Sequence, residues 1–129
     1  MGLSSGTSEA RAELALASAA RTVDATAEFD PGDHGVVEAV LVATALAATP
    51  SVTLNIQAWN EAAQAWETLI TSAAIVTAAP TTSYVQVNPY TAAVTNVSAQ
   101  RALRPRMRVF VDHSDTDSIT YSVTVYASR

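Results

Sequence analysis

Two histidines, two tryptophans and one run of arginines hold most of the chemistry this chain could do. His34 follows Asp30 and Asp33, and His113 sits among Asp112, Asp115 and Asp117. Imidazole and carboxylate are metal ligands, so either turn could hold a cation. The segment Asp-His-Ser-Asp-Thr-Asp lacks the glycine and the distal glutamate of an EF-hand loop. Aspartates in turns also bond their own backbone, and that simpler reading leaves no metal expected. Glu61 and Glu67 lie beside the tryptophan pair, which a glycosidase could exploit. Glu61 falls in a turn, however, where a solvated carboxylate is ordinary. There is no Gly-x-Ser-x-Gly elbow, and four glycines could hardly build a phosphate loop. With no cysteine, disulfides, thiolate metal sites and cysteine nucleophiles are excluded. No catalytic residue and no cofactor is assigned, and the chain is not expected to be an enzyme.

Trp59 and Trp66 are the only tryptophans. They could form a sugar-stacking platform, or a cross-strand aromatic pair that pins a hairpin register; the second is the favoured reading. Arg101, Arg104, Arg106 and Arg108 form the only basic cluster. At alternate positions Arg104, Arg106 and Arg108 would share one strand face and could bind an acidic partner. The competing reading is an edge strand protected from aggregation by charge.

The tryptophans are positioned by residues 50–69, around which the chain is organised. Val52, Leu54, Ile56 and Ala58 alternate with Thr53, Asn55, Gln57 and Trp59, the period of a half-buried strand. Residues 60–64 break the pattern and residues 65–69 resume it, which predicts a β-hairpin with both tryptophans near its turn. Residues 13–22 read as a strand in preference to a short helix, and residues 23–29 as a second strand. Asp30-Pro31-Gly32-Asp33 is a turn, with Pro31 fixing φ and Gly32 free to take φ > 0. Residues 35–46 are a Val-rich apolar run, expected to be a central strand covered on both faces. Further strands are expected at 82–87, 106–112 and 118–127. Residues 90–103 read as a long loop or weak edge strand. The sum is an all-β chain: a single β-sandwich or jelly-roll-like domain over residues 13–129. It has about eight or nine short antiparallel strands, preceded by an extended Gly/Ser-rich arm over residues 1–12.

At 129 residues the length suits one domain that can hold a core without staples. A net charge of −5 fits poorly with nucleic-acid binding. All seven basic residues are arginine, a bias seen with GC-rich coding. No apolar run reaches the roughly 20 residues that span a bilayer. The N-terminus lacks the basic and apolar regions of a secretory signal, so no membrane association is expected.

The pair SVTLNIQAWNEAAQAWETL and LRPRMRVFVDHSDTDSITYSVTVYA resembles a layout found in tailed-phage virion proteins, notably the small β-sandwich proteins that decorate phage heads. The matching residues are Thr53, Leu54, Ile56, Trp66 and Leu69, then Arg106, Arg108 and Val109, then Ile119, Tyr121, Val123 and Val125. Asn60-Glu61-Ala62-Ala63 stands where that layout has a tighter turn. The resemblance implies a capsid decoration (cement) protein on the virion surface, made in the host cytoplasm. It would bridge subunits of the major capsid protein and form homo-oligomers, with a trimer favoured. Leu3, Ser4, Ser5 and Thr7 of the arm, with Arg101, Arg104, Arg106 and Arg108, would then be the partner-binding residues. The alternatives are a phage tail or neck component, and a carbohydrate-binding β-sandwich module with contacts at Trp59 and Trp66.

Overall fold

The computed structural model describes residues 11–77 and 80–128. Leu3, Ser4, Ser5 and Thr7 lie outside the described residues. Among the described residues nine strands run in chain order: β1 (Arg11–Arg21), β2 (Ala25–Phe29), β3 (Val36–Leu46), β4 (Val52–Asn60), β5 (Ala65–Thr71), β6 (Thr81–Val87), β7 (Ser98–Ala99), β8 (Met107–His113) and β9 (Ile119–Ser128). They form a five-stranded sheet, β1-β9-β3-β6-β7, and a four-stranded sheet, β2-β8-β4-β5. The all-β sandwich expected from the alternation is therefore what forms. β1 takes in Arg11 and Ala12, which the sequence had assigned to the arm.

The period of two decides which face is core. Leu54, Ile56 and Ala58 of β4, Met107, Val109 and Val111 of β8, and Tyr121 and Val123 of β9 are all fully buried between the sheets. Side chains on alternate positions point away from the partner sheet. The 35–46 run departs from its expectation. Val37, Ala39, Leu41 and Ala43 are buried, but Glu38, Val40 and Val42 are only half-buried. β3 is central within its sheet, yet one face looks outward, because no third layer covers it among the described residues. The pairing also departs once from all-antiparallel. β7 joins β6 in parallel, over Gln86↔Ser98 and Val87↔Ala99, because the 88–97 connection loops back to the same end of β6.

The β4–β5 hairpin carries a register shift between Ile56 and Gln57. Gln57 pairs with Thr68, while Ile56 pairs with Ile70, so Leu69 is the extra residue. Such a bulge switches the phase of a strand. Trp66 and Thr68 face outward on one side of it, and Leu69 and Ile70 are both buried. The hairpin turn is closed by Asn60, whose Oδ1 accepts from Ala63 N at 3.0 Å. Gln64 takes φ of 53° there, which replaces the glycine of a tight turn.

The turn at residues 30–33 is as the residues dictate. Gly32 has φ of 63°, and its N–H donates to Asp30 Oδ1 at 2.8 Å. At the other end, His113 and Tyr121 join β8 to β9, with His113 Nε2 2.9 Å from Tyr121 Oη. Burial raises the Tyr121 hydroxyl to about 12, so it stays protonated and can donate to a neutral imidazole. Desolvation holds His113 below its ordinary 6.5, against the pull of Asp24, Asp115 and Asp112, and Arg21 opposes its charge further. The native histidine thus binds a proton less readily than the unfolded one. The His113 contribution to stability is therefore full above pH 6.5 and falls as the pH drops from there toward the depressed native value. Denaturant melts across that window should show the loss, and His113→Gln should flatten it. An unchanged pH dependence in the variant would assign the titration elsewhere.

Candidate functional site

The outward face of the four-stranded sheet brings the tryptophans and two of the four arginines together. Trp59 and Trp66 are direct cross-strand partners. Their ring centroids are 5.4 Å apart and their planes cross at 71°, an edge-to-face pair. A flat two-ring platform is therefore not formed. Arg106 lies 4.7 Å from the Trp59 centroid and 5.0 Å from that of Trp66, and Arg108 lies 4.4 Å from Trp66. Guanidinium over indole is attractive through the ring quadrupole; it covers Trp66 with two cations and Trp59 with one. The two indoles form the cross-strand aromatic pair that the hairpin alternation predicts.

The rest of this face carries short chains of polar side chains. Arg108 Nε donates to Gln57 Oε1 at 2.7 Å, and Gln57 Nε2 donates to Thr68 Oγ1 at 2.9 Å. Thr71 Oγ1 donates to Asn55 Oδ1 at 2.6 Å, and Asn55 Nδ2 donates to Phe110 O at 3.1 Å. Asn55 and Gln57 are buried polar side chains, and these bonds satisfy them. Arg106 grips Glu28 with Nε to Oε1 at 2.8 Å and a second nitrogen to Oε2 at 3.3 Å. That hydrogen bonding holds the Glu28 carboxyl below the usual range.

The arginines do not form the single stripe expected from their spacing. Arg106 and Arg108 share the outward face, but Arg104 precedes β8 and turns to the hairpin edge. There it places Nη1 2.8 Å from Glu67 Oε1 as an ion pair, while Arg101 donates to Glu67 Oε2 at 2.9 Å. Hydrogen bonding by Arg101 and then the approach of Arg104 hold Glu67 below its ordinary 4.5. Glu67 is therefore a clamp for the 100–105 loop. Its contribution is present above pH 4.5 and is lost as the pH falls through the lowered native value. Glu67→Gln should leave the fold intact and make the 100–105 loop more accessible to limited proteolysis. Unchanged cleavage would remove this role.

A groove of about 520 Å³ opens where the hairpin turn meets that clamped loop, lined by Trp59, Asn60, Glu61, Arg104, Pro105 and Arg106. Trp59 lines it; Trp66 does not. Trp59 Nε1 donates to Glu61 Oε2 at 2.7 Å, and Gln64 Nε2 donates to Glu61 Oε1 at 3.2 Å. Glu61 is an exposed turn residue, as the sequence reading has it, and it also fixes the indole. A half-buried indole with its polar edge tied down, beside guanidinium and amide groups, suits a ligand with an apolar ring face and rim hydroxyls.

A second groove of about 370 Å³ shares Arg104 and Pro105 with the first and continues to Asp30, Asp33, Pro89 and Tyr90. Tyr90 is 72% exposed. Its ring packs on Gly35, where an added Cβ would come within 2.8 Å of the Tyr90 hydroxyl. Nothing in the irregular 90–103 stretch flagged Tyr90; only Gly35 at the mouth of an apolar strand could have hinted at a close approach. The histidines do not join either tryptophan. His34 Nδ1 lies 3.1 Å from Pro31 O, and among the described residues no three His, Asp or Glu side chains gather to hold an ion.

No protein-family model matches the chain, and no curated protein does. Among solved structures, the xylan-binding domain of carbohydrate-binding module family 22 matches with a TM-score of 0.50 and 18% identity, over 97% of this chain and 88% of that one. The fold is a jelly-roll β-sandwich. The C-terminal family 22 module of a Clostridium thermocellum xylanase gives the same values. An N-terminal module-and-xylanase structure from that organism, complexed with xylohexaose, matches with a TM-score of 0.50 and 13% identity over 84% of this chain. The match spans 20% of that longer chain. At these identities the likeness is one of fold.

Proposed function

We propose that this chain is a non-catalytic carbohydrate-binding module whose ligand lies in the groove beside Trp59. The observation that carries the reading is that indole, held by Glu61 and flanked by Arg104 and Arg106 in an open groove. Sugars present an apolar C–H face for stacking and hydroxyls for charged and amide hydrogen bonds. The jelly-roll likeness to carbohydrate-binding modules supports the same class. The test is affinity electrophoresis of the purified chain through gels cast with xylan, soluble cellulose derivatives or glucomannan. Retardation by at least one polysaccharide is expected, and migration unaffected by all of them overturns the reading.

A second reading places the chain on a tailed-phage head as a decoration protein, bridging subunits of the major capsid protein and trimeric. It is supported by the outward face of the five-stranded sheet. There Leu14, Thr124, Val40 and Tyr84 form one cross-strand row, and Ala12, Tyr126, Glu38 and Gln86 the next. Leu14, Tyr84 and Tyr126 are exposed, and Glu38 is the single charge in those rows, a composition suited to protein contact. Arg101, Arg104 and Arg106 are engaged with Glu67 and Glu28, which leaves that sheet face as the better candidate for the partner. Co-sedimentation with capsids lacking the chain tests this reading.

A further inference from the structure

We infer that the binding track continues past the Trp59 groove, over the Arg104–Pro105 ridge, to Tyr90, and that its ligand is an internal stretch of a neutral polysaccharide chain. This rests on the carbohydrate reading above and specifies the ligand. Three observations carry it. The two grooves share Arg104 and Pro105, so they are neighbours on one surface. Each has its own aromatic residue, Trp59 in one and Tyr90 in the other. The Tyr90 ring is presented, not stowed. It stays 72% exposed, while Gly35 leaves room beneath it and Asn88 Oδ1 accepts from Tyr90 N at 2.9 Å. An aromatic ring that is held in place and left open loses little freedom when a ligand stacks on it.

The charges select the ligand. Asp30 and Asp33 line the second groove and Glu61 the first. Of the guanidiniums nearby, Arg106 binds Glu28, and Arg104 shares the Glu67 carboxylate with Arg101. An anionic sugar would meet the carboxylates of Asp30, Asp33 and Glu61 along the track, which disfavours it. Both grooves are open to solvent along their lining, so neither encloses the end of a chain.

The test is calorimetric titration of the full chain with xylo-, cello- and manno-oligosaccharides as disaccharide and hexasaccharide, and with polygalacturonate as the anionic control. The hexasaccharide of the preferred sugar should bind at least about 10-fold more tightly than its disaccharide, as expected for one added stacking contact. Tyr90→Ala should abolish that gain while leaving disaccharide affinity unchanged. Gly35→Ala, which forces the ring aside, should do the same, with circular dichroism confirming that both variants fold. Equal affinity for the two lengths in the natural chain overturns the inference and leaves the Trp59 site standing, as does a gain that survives Tyr90→Ala. Preference for polygalacturonate overturns the neutral assignment. Binding to no sugar at all overturns the carbohydrate reading together with it.

Discussion

Trp59→Ala should abolish retention on polysaccharide, weakening binding roughly 30-fold, or on the order of 2 kcal/mol, the scale for truncating a central aromatic anchor. The loss has two parts. The stacking face disappears, and Glu61 and Arg106 lose the ring they are arranged around. Trp59→Phe separates them, since it keeps a face but not the N–H that Glu61 holds. Trp66→Ala is the contrasting change. It removes the ring that Arg106 and Arg108 both cover, so its main effect should be on the melting temperature. The readout is affinity electrophoresis beside a thermal melt of each variant. If Trp59→Ala folds and binds undiminished, the groove is not the site, whatever the fold resembles.

Leu54→Ala should cost about 2–5 kcal/mol of folding stability, the range for opening a cavity in a packed core. Leu54 is fully buried in central strand β4. Its strand is bonded on both sides, to β5 and β8, so the walls of the cavity have little freedom to collapse. Leu14→Ala, on the outward face of edge strand β1 and 61% exposed, should stay within about 0.5 kcal/mol. Urea midpoints with unchanged slopes measure both. Equal costs at the two sites would mean that the sandwich interior is not packed as described.

The strands were legible because each is written in period two. The alternations Val52-Leu54-Ile56-Ala58, Met107-Val109-Val111 and Ile119-Tyr121-Val123-Val125 all name the buried faces correctly. What alternation cannot encode is which strands become neighbours. β9 settles between β1 and β3, and β7 adds in parallel, and no local signal reports either. The site was half legible. The rarity of tryptophan drew attention to Trp59 and Trp66, and the arginine cluster to Arg106 and Arg108. The division of labour between the two indoles was hidden, because it depends on the loop that brings Arg104 and Pro105 beside Trp59. The two-residue spacing of the arginines misled at Arg104, where the strand had not yet begun and an ion pair with Glu67 set the direction instead. Tyr90 was invisible because its importance comes from a glycine more than fifty residues earlier.

The pairing of β1 with β9 also governs how the chain reaches this state. The earliest strand finds its partner only in the last of those described, Arg11 opposite Ala127 and Arg21 opposite Ile119. Such closure over nearly the whole length carries a large loop entropy before any contact rewards it, and sandwiches of this kind acquire their structure in milliseconds to seconds. Before β9 arrives both sides of the alanine-rich β1 are open to other chains, and afterwards β1 is still the edge of its sheet among the described strands. Two register shifts interrupt its ladder near Leu16, and Arg21 reaches back to the carbonyls of Ala17 at 2.6 Å and Tyr121 at 2.7 Å. The same irregularities that bend the finished sheet thus make β1 a poor template for a neighbour's strand, and they guard its open edge against aggregation.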